Sequence, residues 1–198
     1  MRPAACYHAR MTIRLPTSFT ARPLHAASAV LAVLLAACLA GCSPKYNWRD
    51  YASPDAAYRV MFPAKPSVHT REVDLDGLKV PMTMTAAEVD GATFAVGTAV
   101  APDAARAQAA VEAMQVALVR NIGGRVTRAG SAAAAAAGAE DRTTRDVEAE
   151  GTARGETVRL AGHFEARGKR FYQVIVVGKA QDMPAEQVEQ FLTSFKPQ

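Results

Sequence analysis

Two hydrophobic periods alternate along this chain, and they divide most of it into strands and helices. Tyr58 to Phe62 (YRVMF) predicts a short strand, closed by Pro63 and Pro66, because proline lacks the N–H that a central ladder needs. Val68 to Leu75 predicts a second strand, and Asp76-Gly77 a tight hairpin turn into a third. There Leu78, Val80, Met82 and Met84 alternate with Lys79, Thr83 and Thr85, so one face is expected to be apolar and the other polar. The methionines read as core fillers. Asp90-Gly91 repeats the turn signal, and Ala92 to Val100 follows as a strand with Phe94, Val96 and Val100 on one side. This first half is a meander of hairpins.

The period then changes from two to about 3.6. Pro102-Asp103 opens a helix in which Val111, Met114, Leu118 and Ile122 form one apolar stripe, and Gly123-Gly124 closes it. Val126 falls in a short strand beyond. Six consecutive alanines, Ala132 to Ala137, favour helix locally but are too few for a stable isolated one, so they read as a surface connection. Glu140 to Glu150 is dense in charge and predicts an exposed strand with a solvated face. In Val158 to Ala166 the apolar Val158, Leu160 and Phe164 alternate with Arg159, His163 and Glu165, and Arg167-Gly168 marks a turn. Phe171 to Val177 (FYQVIVV) is apolar on both faces, the pattern of a central strand covered on both sides. Asp182 and Pro184 begin a closing helix with Val188, Phe191, Leu192 and Phe195 on one stripe, stopped by Pro197.

One apolar run has neither period. Ala26 to Ala40 follows Arg14 and Arg22, and at about fifteen residues it is short of the roughly twenty that span a bilayer. It reads as the core of a signal peptide. Its end, Leu39-Ala40-Gly41-Cys42, resembles the lipobox of bacterial lipoproteins: a leucine three places before a cysteine, with small residues between. The resemblance implies removal of residues 1–41, diacylglycerol on the Cys42 sulfur, and acylation of the new amino terminus. Several acyl chains make a stable anchor where one binds only marginally. Ser43, where an aspartate would mark inner-membrane retention, favours the outer membrane, facing the periplasm.

The expected organisation is thus a signal peptide over 1–41, a lipidated N terminus and tether over 42–55, and one globular domain over 56–198. The tether carries Tyr46, Trp48 and Tyr51. Trp48 and Tyr51 either dock on the edge of the domain as an apolar plug or lie at the membrane interface, where such rings are favoured. Of the 198 residues, 157 remain after the leader, enough for one core without staples. No disulfide is expected: Cys6 and Cys38 leave with the leader and Cys42 carries lipid. The net charge of +4 also belongs to the leader. Removing Arg2, Arg10, Arg14 and Arg22 from 23 basic residues leaves 19, against 19 acidic ones. A neutral mature chain argues against a nucleic-acid partner.

Trp48, Phe62-Pro63, Gly123-Gly124, Phe171-Tyr172-Gln173-Val174 and Phe191-Leu192-Thr193-Ser194-Phe195 together resemble bacterial domains of the PsbP/Mog1-like type. The resemblance implies an α+β fold, an antiparallel sheet with helices packed on it as an α/β/α sandwich. Members of that class act chiefly as binding or assembly proteins, and no functional residue carries over. The alanine run departs from the pattern.

Chemistry is sparse. Only His69 and His163 survive in the mature chain and its one sulfur-bearing cysteine is committed to lipid, so neither a metal nor another cofactor is expected. No nucleophile elbow, Walker loop or dinucleotide fingerprint is present. Arg159, His163, Glu165 and Arg167 share one strand face and form the candidate for anion binding or acid/base work, set against an ion-paired surface. Two functions follow: a lipid-anchored, non-enzymatic module that binds or assembles envelope components, with an envelope protein as its partner; or an envelope enzyme, such as a hydrolase, built on His163 and Glu165.

Overall fold

The computed structural model describes residues 45–130 and 142–198. The lipobox and the alanine run lie outside the described residues. Among the described residues ten strands and two helices follow in order: β1 (Arg49–Ala52), β2 (Tyr58–Phe62), β3 (Ser67–Leu75), β4 (Leu78–Val89), β5 (Ala92–Val100), α1 (Ala104–Asn121), β6 (Arg125–Gly130), β7 (Arg142–Ala153), β8 (Glu156–Arg167), β9 (Arg170–Lys179), α2 (Ala185–Ser194) and β10 (Lys196–Pro197). The fold is α+β with antiparallel sheets.

Two hairpin meanders, β3-β4-β5 and β6-β7-β8-β9, join through β5 and β9 into a seven-stranded sheet ordered β3-β4-β5-β9-β8-β7-β6. Two-residue turns fix the register. Asp76 and Gly77 have φ of 56° and 87°, and Asp90 and Gly91 have 49° and 79°, the paired left-handed conformations whose twist matches that of the strands they join. Arg154-Gly155, at 55° and 81°, makes a third such turn between β7 and β8. The β3-to-β4 and β4-to-β5 turns fall where the sequence puts them, and the β8-to-β9 turn falls one residue later, at Gly168-Lys169.

Strands β5 and β9 are apolar on both faces, and each face has its own cover. On the first, Ala107, Ala110, Val111 and Met114 of α1 pack on Ala95, Leu160, Phe164, Phe171 and Ile175. Asp103 caps α1, its Oδ1 accepting from the Arg106 N–H at 2.8 Å. On the second face, Phe94, Val96, Val174 and Val176 meet Val188 and Phe191 of α2, and Tyr58, Val60 and Phe62 of β2. Here β1, β2 and β10 form a separate three-stranded sheet. Phe191 is the hinge of this core, its ring centroid 5.4 Å from both Phe62 and Phe94.

Several expectations need correction. Of the expected tether, the described part from residue 45 on is not free chain: Arg49–Ala52 is strand β1, paired to β2, and its aromatics pack on the second core. Tyr51 lies 5.6 Å from Phe62 and Trp48 6.3 Å from Phe94, and Trp48 Nε1 donates to Gln187 Oε1, so both rings are docked. The polar face of β4 is not solvated throughout. Thr85 is buried and accepts a hydrogen bond from the Tyr58 hydroxyl, whose pKa burial pushes up to about 12. Strand β7 is half-buried, since Val147 and Ala149 face α1. Val100, at the last position of β5, is exposed. Asp182 does not cap α2; it sits in a 3-10 turn, and Pro184 occupies the cap position. The chain leaves α2 at Phe195 in extended conformation, and Pro197 pairs with Tyr58 in β10.

Phe191→Ala removes a fully buried ring from this second core and is expected to cost about 3–5 kcal/mol, read as a lowered urea midpoint.

Candidate functional site

The cover on the second face does not extend across the whole sheet. Between α2 with β10 on one side and strands β6, β7 and β8 on the other runs a groove of about 1040 Å³. Antiparallel register builds its floor. Asp146 pairs with His163 and Arg142 with Arg167, so every second residue of β7 and β8 points to this side while their neighbours face α1. The floor therefore carries Arg142, Asp146 and Glu148 from β7 and Arg159, His163, Glu165 and Arg167 from β8, with Arg128 of β6 at the rim. The wall is mostly apolar: Ala185, Val188 and Leu192 of α2, then Phe195 and Pro197, with Glu189, Thr193 and Lys196 among them.

Glu165 is the centre of the floor. Its side chain is only 2% exposed, yet it is ringed by cations. Arg142 Nε stands 3.0 Å and Arg167 Nε 2.5 Å from Oε1, and His163 Nε2 stands 3.5 Å from Oε2. The other ring nitrogen of His163 faces Asp146 Oδ1 at 2.6 Å, and its ring lies 6.2 Å from that of Phe195. Farther along, Glu148 is shared by Arg128 at 3.2 Å and Arg159 at 3.9 Å.

These contacts shift both titrations. Burial alone would raise the pKa of Glu165, but hydrogen bonds from His163 and Arg167 and the charges of Arg167 and Arg142 outweigh it and hold the carboxyl below its ordinary value. Burial works against the imidazolium too, and is likewise outweighed, by the hydrogen bonds to Glu165 and Asp146, so the pKa of His163 is raised.

All four residues singled out from the sequence line the groove. Three of them, His163, Glu165 and Arg167, form one cluster, whereas Arg159 belongs to the neighbouring Glu148 pair. Sequence reasoning missed Arg142 and Asp146. The signal was there, since Arg142, Asp146 and Glu148 share a period of two, but dense charge was read as solvation rather than as one face of a paired strand. Leu39, Ala40, Gly41 and Cys42 lie outside the described residues. Among the described residues, no helix is long and apolar enough to cross a membrane, and no cluster of three metal-ligating side chains forms. No protein-family model matches the chain, and comparison with curated proteins gives no match.

The two shifts predict a stability profile. His163, with a raised folded pKa, stabilises fully below its ordinary value of 6.5, and that share is lost as pH rises through the raised value. Glu165, with a lowered folded pKa, stabilises above its ordinary value of 4.5, and that share is lost as pH falls through the lowered value. The cluster's contribution is therefore expected to peak between 4.5 and 6.5. Urea midpoints of the wild type should decline as pH rises through the raised value of His163, and His163→Gln should flatten that limb while lowering stability on its acid side.

Proposed function

We propose that this chain is a lipid-anchored cell-envelope protein, held to the outer membrane and facing the periplasm, and that its domain is a non-enzymatic binding or assembly module that takes its partner in the groove. The observation that carries this reading is the state of the floor. Both nitrogens of His163 face carboxylates that favour the imidazolium, and an imidazolium has no free lone pair with which to act as a base. The one hydroxyl side chain among the described lining residues, Thr193, donates to the backbone carbonyl of Glu189 at 2.7 Å. A constellation of this kind recognises charge. The alternative, a hydrolase built on His163 and Glu165, requires a nucleophile within reach of His163.

The anchor rests on Leu39-Ala40-Gly41-Cys42 and the apolar run before it. From Cys42 to Arg49, the first residue of β1, the chain reaches at most about 25 Å, so an anchored domain stands close to the bilayer. We assign the fold to the PsbP/Mog1-like type, an α/β/α sandwich. The antiparallel sheet with α1 on one face and α2 on the other supports this assignment.

Cys42→Ala should move the protein from the membrane to the soluble fraction with an unchanged melting temperature; a variant that stays membrane-bound with the same processing would refute the anchor. A photo-crosslinking residue at position 192, on the groove wall, should give adducts in intact cells, while one at Val116, exposed on α1, should give none.

A further inference from the structure

Arg142 and Arg167 are directly opposite each other on neighbouring strands, a placement in which like charges repel. Both reach the same oxygen of Glu165, and both do so through Nε. Among the described residues neither guanidinium has an ion-pair partner besides Glu165, and the two side chains are 43% and 39% exposed. A buried carboxylate thus holds two arginines by their Nε atoms, and both arginines line the groove. Guanidinium N–H groups match the two oxygens of a carboxylate.

Counted over the whole lining, the basic side chains outnumber the carboxylates even with His163 neutral, a balance that suits an anionic head group. The wall adjoining the head site is apolar. Phe195 lies against His163, and Leu192 and Pro197 continue the lining beside it. At about 1040 Å³ the groove lies just above the roughly 300–1,000 Å³ of small-ligand pockets and is concave rather than flat.

We infer that the groove binds a single-chain amphiphile with a carboxylate head, the head held by the Nη ends of Arg142 and Arg167 and the chain laid along Leu192, Phe195 and Pro197. Glu165 is then a positioning residue. This rests on the groove being the binding site; groove crosslinking without amphiphile binding would overturn the ligand class and leave that reading standing.

The test is NMR of dodecanoate carrying ¹³C at its carboxyl, below its critical micelle concentration, with the full chain as expressed and protein-free samples of the same composition as reference. A saturable protein-bound resonance is expected, with no such binding by acetate. Arg142→Gln and Arg167→Gln should each weaken binding about tenfold, as loss of charged hydrogen bonds does. Glu165→Gln is the decisive variant. It adds positive charge, so a mere electrostatic field would bind dodecanoate more tightly, whereas loss of the arginine anchor weakens it. Should Glu165→Gln melt early, Arg142→Lys serves instead: it keeps the charge and loses the fork, and should weaken binding where a field would not change it. Equal binding of acetate, displacement by dodecyl maltoside as effective as by unlabelled dodecanoate, displacement by an acidic peptide at the same concentration, or tighter binding by Glu165→Gln would each overturn the inference.

Discussion

Strands β5 and β9 at the middle of the sheet are apolar on both faces, and the rest of the molecule answers to that constraint. Burying one face of a sheet needs one layer; burying two needs a layer on each side. α1, eighteen residues long, supplies the first and crosses β9, β8 and β7. The second must come from what remains, a ten-residue helix and the short strands β1, β2 and β10. Its packing centres on Phe62, Phe94 and Phe191, over the middle of the sheet. The groove exists because this second cover is shorter than the first. Beside it, β7 and β8 carry on the same face the charged residues that a complete apolar layer would not tolerate.

Glu165 is where that division is sharpest. It lies on β8 between the apolar cover and the open floor, nearly without solvent, and a lone carboxylate there would be costly. Three cations offset that cost. The arrangement is weak support for stability in itself, because the desolvation of all four groups opposes their attraction. It is strong support for register. A one-residue slip of β7 against β8 would turn Arg142 and Asp146 toward α1 and bring Val147 to the groove, stranding Glu165 and exposing the first core together. The polar cluster and the apolar layer behind it therefore specify the same pairing. Arg142 and Arg167 stay opposite each other because Glu165 stands between them.

Elements were legible from sequence where one local cause decided them. The Asp-Gly turns, the Asp103 cap and the double-faced apolarity of β9 are of this kind. The third left-handed turn escaped notice because Arg154 replaces the usual aspartate: arginine gains nothing locally at positive φ, and the hairpin around it supplies the reason. Thr85 and β7 were misjudged for a different cause. Their polarity is real, but Thr85 is buried because Tyr58, 27 residues away in sequence, arrives to bond it, and β7 is half-buried because α1 crosses it. The candidate site was legible on one strand only. β8 displays its charged period openly, whereas its partners on β7 acquire meaning from a register that no single segment contains.

The second layer also relates the groove to the proposed anchor. Trp48 packs on Phe94 and bonds Gln187 of α2, so the chain enters the domain through the same layer whose α2 walls the groove. Cys42 precedes Trp48 by six residues, a reach of at most about 22 Å. With the proposed anchor at Cys42, a docked N terminus of that length would hold the domain close to the bilayer. Components of the membrane surface would then meet the domain at a high effective concentration, as tethered partners do, and modest intrinsic affinity in the proposed groove site would suffice for occupancy. Trp48 and Tyr51, half-buried against the second core, fix where the chain leaves the domain.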